Sequence, residues 1–295
     1  MLTGSLVKTI TSDGLELAGF WMDAKSDVAV FQSHGTAGDF YTHKFIEVEG
    51  EQLTKNHISF LTANNRGHDV YADIRKHTKK GVEWVQIGGG LENFEESILD
   101  IEAWITFLVS KGVKKIILQG HSLGPNKNIY YQYKKKDPRI IGFIHLSPQN
   151  DAGLMKYKRG DKRYVEINRM IVQKLREGKE KEMIPKELEE LCPMSVLAYS
   201  GYFIEDGIGN LFAYHNPDNP NWKIVGSTKE PQILIFGEKD PYMKPSIPRA
   251  VDVFSQKVNK KSKFESKIIL GASHSYVGYE DELAHIITDW IKRNY

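Results

Sequence analysis

The sequence predicts an α/β protein: a mainly parallel, eight-stranded sheet with helices on both faces and a helical cap inserted late in the chain. Three observations predict it. Short, nearly continuous apolar runs alternate with longer segments of helical periodicity. The runs lack the strict apolar–polar alternation of a half-exposed strand, so both faces of the sheet must be covered. One connection, between Leu146 and Gln232, is about 85 residues long where a single helix would suffice.

In chain order, residues 6–10 and 15–21 read as an antiparallel hairpin turned at Ser12-Asp13-Gly14. Residues 28–32 form the next strand, which ends in His34-Gly35-Thr36-Ala37-Gly38 and leads to a helix over 44–55. The unit repeats with a strand over 58–63 and a loop through Asn65-Arg66-Gly67-His68. A helix over 94–110 follows, carrying Ile98, Ile101, Trp104, Ile105 and Leu108 on one face. Strands over 115–119 and 140–146 flank a helix over 126–136. Strand 232–236, helix 248–258, strand 264–270 and helix 280–293 close the order.

Residues 1–147 and 228–295 are therefore assigned to the core, and 148–227 to the cap. The cap reads as two helices, 162–177 and 185–199, and an aromatic-rich segment with Tyr199, Tyr202, Phe203, Phe212, Tyr214 and Trp222. Folded over the carboxyl edge of the sheet, these aromatics predict a pocket for an apolar or ring-bearing acyl or alcohol group. Aromatics that merely pack the cap onto the core would leave the same pattern. The lysine-rich stretch 156–181 reads as a solvated helix face, and Gly88-Gly89-Gly90 as a flexible loop without phosphate-binding spacing.

The chain has 295 residues, 40% hydrophobic and 26% charged, the balance of a globular protein with a large core. A net charge of +2, from 40 basic against 38 acidic residues, offers no excess to neutralise a run of phosphates, so no nucleic-acid partner is expected. The single cysteine, Cys192, cannot form an internal disulfide and reads as a structural thiol. Residues 1–10 do not read as a signal peptide, and no apolar run approaches the roughly 20 residues of a membrane helix. The expectation is a cytoplasmic protein with no membrane partner, no metal and no cofactor.

Gly120-His121-Ser122-Leu123-Gly124 matches Gly-x-Ser-x-Gly, a strand-to-helix turn that exposes a serine hydroxyl above a sheet. Glycines on either side let the backbone fold sharply. The string alone recurs by chance in glycine-rich chains, but here the required strand, Lys-Lys-Ile-Ile-Leu-Gln at 114–119, stands before it and a helix from Asn126 behind it. A serine needs a base to take its proton, and His274, after the last strand and before the closing helix, is in position to supply it. His285 is the rival, inside a helix pattern. Asp240, after strand 232–236 in Gly237-Glu238-Lys239-Asp240-Pro241, completes the order Ser, Asp, His; Glu238 and Asp151 are the alternatives. The oxyanion formed on attack needs donors, expected to be the main-chain amides of Thr36 and Leu123.

These motifs, in this order, resemble the α/β-hydrolase superfamily over nearly the whole chain: His-Gly-Thr, Asn-Arg-Gly-His, Gly-His-Ser-Leu-Gly, Gly-Glu-Lys-Asp and Gly-Ala-Ser-His-Ser-Tyr. The last of them, with its following glycine and acidic residues, resembles a branch that includes siderophore-cleaving esterases of fungi. The resemblance implies cofactor-free hydrolysis of an ester, thioester or amide. Pro125 departs from it, standing where a small residue usually follows the motif. A proline in a helix's first turn is tolerated, so the turn should survive with some crowding beneath the serine. The expected activity is carboxylic-ester hydrolysis of a small-molecule substrate through an acyl-enzyme. A thioesterase or acyltransferase with the same triad, and a non-catalytic binding protein on the same scaffold, are the alternatives.

Overall fold

The computed structural model describes residues 3–189 and 191–295. β1 (Ser5–Ile10) and β2 (Glu16–Met22) form the antiparallel hairpin at the chain's start. β3 (Val28–Ser33), α1 (Lys44–Lys55) and β4 (Ser59–Ala63) follow, then a separate two-stranded hairpin, β5 (Ala72–Thr78) and β6 (Gly81–Ile87). Next come α2 (Ser97–Ser110), β7 (Lys115–His121), α3 (Gly124–Lys135) and β8 (Ile140–Leu146). The long connection holds α4 (Asp151–Arg159), α5 (Asp161–Arg176), α6 (Val196–Tyr202) and the short α7 (Trp222–Val225). β9 (Gln232–Gly237), α8 (Ile247–Lys257), β10 (Phe264–Ile269) and α9 (Glu280–Asn294) complete the chain.

The main sheet has eight strands in the order β1-β2-β4-β3-β7-β8-β9-β10, parallel from β4 onward. Alternate residues of each central strand enter opposite cores. Phe31, Leu61, Leu118, Phe143 and Leu234 pack with α2, α3, α8 and the inserted helices. Val30, Phe60, Ile117, Ile144 and Ile233 pack with α1 and α9. Burial on both faces is why these strands read as continuous apolar runs. Parallel strands also bring every β-to-α turn to one edge, where the site lies. Among the described residues, no helix is long and apolar enough to cross a membrane.

The structure differs from the sequence expectation in four places. Between the loop expected at 65–68 and the helix expected from 94, where no strand was expected, the chain forms β5 and β6. Among the described residues of the helix expected over 185–199, only a 3₁₀ turn at Lys186–Leu188 and α6 are helical, position 190 lying outside the described residues; Met183 and Ser195 pair in an isolated bridge. Pro193 interrupts that stretch, and the Ser195 side chain accepts from the Ala198 amide to start α6 late. α4, absent from the sequence reading, occupies Asp151–Arg159. Finally, Gly88, Gly89 and Gly90 are not a loose loop: their amides donate to the carbonyls of Arg66, Asp69 and Val70.

Beneath the site lies a buried polar cluster. Gln119 Nε2 donates to Gln32 Oε1 (2.7 Å) and to Oε2 of Glu49 (2.8 Å), which is wholly buried on α1. Burial pushes the Glu49 carboxyl up from 4.5 to about 8, against a smaller opposing effect of the Gln119 bond. The native protein thus holds a proton that the unfolded chain has released once pH exceeds its ordinary carboxyl value. The resulting stability is fully present below pH 4.5 and is lost as pH rises to about 8. Buried His34 and His145, held down to about 3 and about 4, act in the opposite sense over the acidic range, so the comparison must be made against a variant. Urea unfolding at pH 5 and pH 8 should show Glu49→Gln gaining stability relative to the parent protein as pH rises. A constant difference between the two proteins would contradict this assignment.

Candidate active site

β7 enters its turn at Gly120 and α3 leaves it at Gly124, and Ser122 between them has φ 60°, a left-handed conformation rare for a residue with a side chain. The surroundings enforce it. A Cβ on Gly120 would lie 2.3 Å from the Pro125 nitrogen, and one on Gly124 would lie 2.4 Å from the Ser33 carbonyl oxygen. Pro125 sits in the first turn of α3, where its missing amide proton leaves no bond unmade. The Ser122 amide donates to the Leu146 carbonyl, and the Ser122 carbonyl accepts from the Gln149 amide, both at 2.9 Å. The serine is thereby tied to the end of β8 and to the loop beyond it.

His274 and Asp240 come from the loops after β10 and β9. His274 Nδ1 donates to Asp240 Oδ2 at 2.7 Å, and Asp240 Oδ1 accepts from the Tyr242 amide at 2.9 Å. With both carboxylate oxygens engaged, the Nδ1–H of the ring is held on Asp240. Tyr242 packs edge-on against the imidazole, ring centres 4.9 Å apart. Ser122, His274 and Asp240 line one cavity of about 240 Å³.

Thr36 lines the same cavity. A Cβ on the preceding Gly35 would come within 2.6 Å of the Ser122 Cβ, so that main chain runs directly beside the serine. Among the described residues, the amides of Thr36 and Leu123 donate to no main-chain acceptor outside regular elements, and Leu123 stands just before α3. The loop is held from behind. His34 Nδ1 donates to the Gly35 carbonyl (2.8 Å), and its Nε2 accepts from the Asn65 amide (3.0 Å). Burial holds the His34 ring down to about 3, which keeps it neutral and fixes that tautomer. Asn65 Oδ1 in turn accepts from Lys127, whose ammonium forms a fully buried pair with Glu92.

Several supporting residues were not singled out from sequence. His121, inside the serine motif, donates from Nε2 to the His274 carbonyl (2.8 Å). Burial and the neighbouring His274 and His43 hold its pKa well below the usual value. Gln149 accepts from the Thr36 hydroxyl at 3.1 Å. His34 and Asn65 lie in quoted motifs, yet their partners are far away in sequence and left no local signal.

The six aromatics do not line the cavity beside Ser122. Tyr199, Tyr202, Phe203, Phe212, Tyr214 and Trp222 are all buried in the larger core. Phe212 stacks on Phe254 of α8, and Trp222 meets the same ring edge-on. Their large apolar surfaces fasten the insertion to the sheet. The cavity is instead lined by His43, Ser147, Gln149, Asn150 and Asp151 beside Leu191 and Met243, with apolar atoms forming more of its exposed wall than polar ones. Asp151 is therefore at the cavity, although His274 pairs with Asp240. Glu238 is exposed and accepts from the Gly271 amide, and His285 is exposed on α9, bonded to the Asp281 carbonyl. The Cys192 thiol is buried, and burial pushes it up to about 11, away from nucleophilic chemistry. No cluster that could hold a metal is present among the described residues.

The close approach of Gly35 to Ser122 makes a direct prediction. Gly35→Ala should lower unfolding stability by about 1–3 kcal/mol, because a methyl cannot enter without moving the serine turn. Denaturant unfolding checks it, and an unchanged midpoint would mean that the loop and the turn are not in contact.

Solved structures with the same fold include the esterase Pf2001 of Pyrococcus furiosus, with 20% identity, a TM-score of 0.64, and coverage of 99% of this chain and 91% of that one. Est1E of Butyrivibrio proteoclasticus, solved with ferulic acid bound, matches at 16% identity and TM-score 0.64, covering 97% and 98%. The α/β hydrolase GrgF from Penicillium sp. sh18 matches at 15% identity and TM-score 0.66, covering 99% of each chain. No curated protein matches the sequence. The chain thus has the α/β-hydrolase fold, and, with residues 85–292 matching the family model described as "Protein of unknown function (DUF1749)", it belongs to the DUF1749 family.

Proposed function

We propose that the protein is a serine hydrolase that cleaves a carboxylic ester through an acyl-enzyme. One observation carries the reading: a serine held in a left-handed turn shares a cavity with a histidine whose far nitrogen is bonded to a buried carboxylate. In this reading Ser122 Oγ attacks the acyl carbon while His274 Nε2 takes its proton, and Asp240 stabilises the imidazolium. The Thr36 and Leu123 amides receive the oxyanion. His274 then protonates the leaving alcohol. Water enters, gives a proton to His274 as it attacks the acyl carbon, and the imidazolium returns that proton to the Ser122 oxygen as the acid leaves.

We read residues 148–227 as a cap whose loop at Leu191 closes one side of the cavity. The small volume, with a wall of mixed apolar and polar surface, fits a short acyl group better than a large ring-bearing one. Hydrolysis of p-nitrophenyl acetate tests the reading. Ser122→Ala and His274→Ala should each lower kcat by at least about 10⁴-fold with folding unchanged. Equal turnover by Ser122→Ala and the parent protein would refute it. Acyl thioesters, and esters of the kind cleaved by the fungal siderophore esterases that residues 271–276 resemble, form further arms of the assay.

His121 acts in this scheme as a positioning residue, through the carbonyl of His274. His121→Phe should lower kcat by about tenfold with little change in KM, the loss expected when one orienting hydrogen bond goes. His121→Gln, which restores a donor, should recover most of it. Equal effects of the two substitutions would assign His121 to packing alone.

A further inference from the structure

The hairpin β5–β6 has no part in this chemistry, and its outer face is unusual. Trp84 is 68% exposed and Val82 57%, whereas Trp21, Trp104, Trp222 and Trp290 are all buried. Residues 81–84 are exposed on both sides of their strand, so this end of the hairpin projects from the body. The register puts Arg75 opposite Trp84 and His77 opposite Val82 on one face, and Lys79-Lys80 form the tip. The Arg75 guanidinium carbon lies 5.8 Å from the Trp84 ring centre.

That face continues onto the main sheet. His77 Nε2 donates to Glu16 Oε2 at 3.0 Å, and Glu16 Oε1 accepts from Lys8 Nζ at 2.7 Å. Lys8 shares the outer face of β1 with the exposed Leu6 and Ile10. The result is a surface on which Leu6, Ile10, Val82 and Trp84 are interleaved with Lys8, Arg75, Lys79 and Lys80. Among the described residues, no carboxylate lies within ion-pair distance of Arg75, Lys79 or Lys80.

We propose that this face docks the protein on an anionic lipid surface. Anionic headgroups supply counter-charges for Lys79 and Lys80 and add to the one that Glu16 gives Arg75, and an exposed tryptophan beside cations is the combination that settles at a membrane interface. A projecting hairpin enters a headgroup layer, whereas a folded partner would need a concave match. The placement is also coherent. β2 runs antiparallel to β4 with Gly19 opposite Ala63, so Glu16 and Ile10 stand at the carboxyl edge of the sheet, the edge that carries Ser122. At its base the hairpin meets the Thr36 loop, where a Cβ on Gly89 would lie 2.8 Å from the Ala37 nitrogen. The expectation of no membrane partner rested on the lack of a spanning segment, which peripheral docking does not need.

Because the other four tryptophans are buried, Trp84 is a built-in reporter for the full-length protein. Co-sedimentation and acrylamide quenching would compare vesicles of phosphatidylcholine alone with vesicles of phosphatidylcholine mixed with phosphatidylserine. The proposal expects a blue shift and shielding of Trp84 on the mixed vesicles only, with binding weakened about tenfold or more in Trp84→Ser and in the double variant Lys79→Glu, Lys80→Glu. Both variants change exposed side chains, and circular dichroism verifies their folding. Absence of binding to the mixed vesicles, or binding unchanged in both folded variants, overturns the proposal. So does shielding of Trp84 that grows with protein concentration without lipid, which would make the face a contact between two copies of the chain.

Discussion

The site depends on one steric constraint: three stretches of main chain pass too close together around Ser122 to admit side chains. Gly120 faces the Pro125 nitrogen, Gly124 faces the Ser33 carbonyl, and Gly35 faces the serine itself. The left-handed conformation of Ser122 is disfavoured in isolation and persists because β3, β7, β8 and α3 leave it no alternative. Parallel strands put all of these turns at one edge, so the fold that buries the apolar strands also gathers Ser122, His274 and Asp240.

Behind the serine, rigidity comes from polar contacts sealed away from water. Lys127 and Glu92 are both buried, and so are Arg66 and Asp100, with Asp13 and Glu96 also reaching Arg66. Such pairs contribute little net stability, since desolvation offsets much of their attraction, but removing one partner strands the other. Their use here is geometric. Lys127 fixes Asn65, Asn65 fixes His34, and His34 holds the carbonyl of Gly35. A chain of donors and acceptors therefore runs from Lys127 on α3 to the loop beside Ser122.

What the sequence revealed follows the range of the interactions involved. The serine turn was legible because its steric demands fall on residues two positions either side. His274 and Asp240 were legible from their order after particular strands. His34, Asn65, Lys127 and Glu92 were not, because their bonds span from 31 to 62 positions and each residue alone reads as ordinary. The stretch 185–199 has helical composition, and the Pro193 interruption decides against it. β5 escaped notice because Ile74 is its one large apolar residue among charged neighbours, whereas β6 carries Val82, Trp84, Val85 and Ile87, a strand-like pattern that was passed over. The six aromatics show the limit most clearly: Phe212 against Phe254 and a ring lining a pocket have the same sequence signature, and only the packing separates them.

The central claim is that Ser122 is activated by its surroundings, and covalent labelling with a fluorophosphonate followed by peptide mass spectrometry tests it most directly. A single adduct on Ser122, formed rapidly by the folded protein and far more slowly after His274→Ala, is the result expected. No adduct at Ser122, or labelling at the same rate without the imidazole, would contradict it.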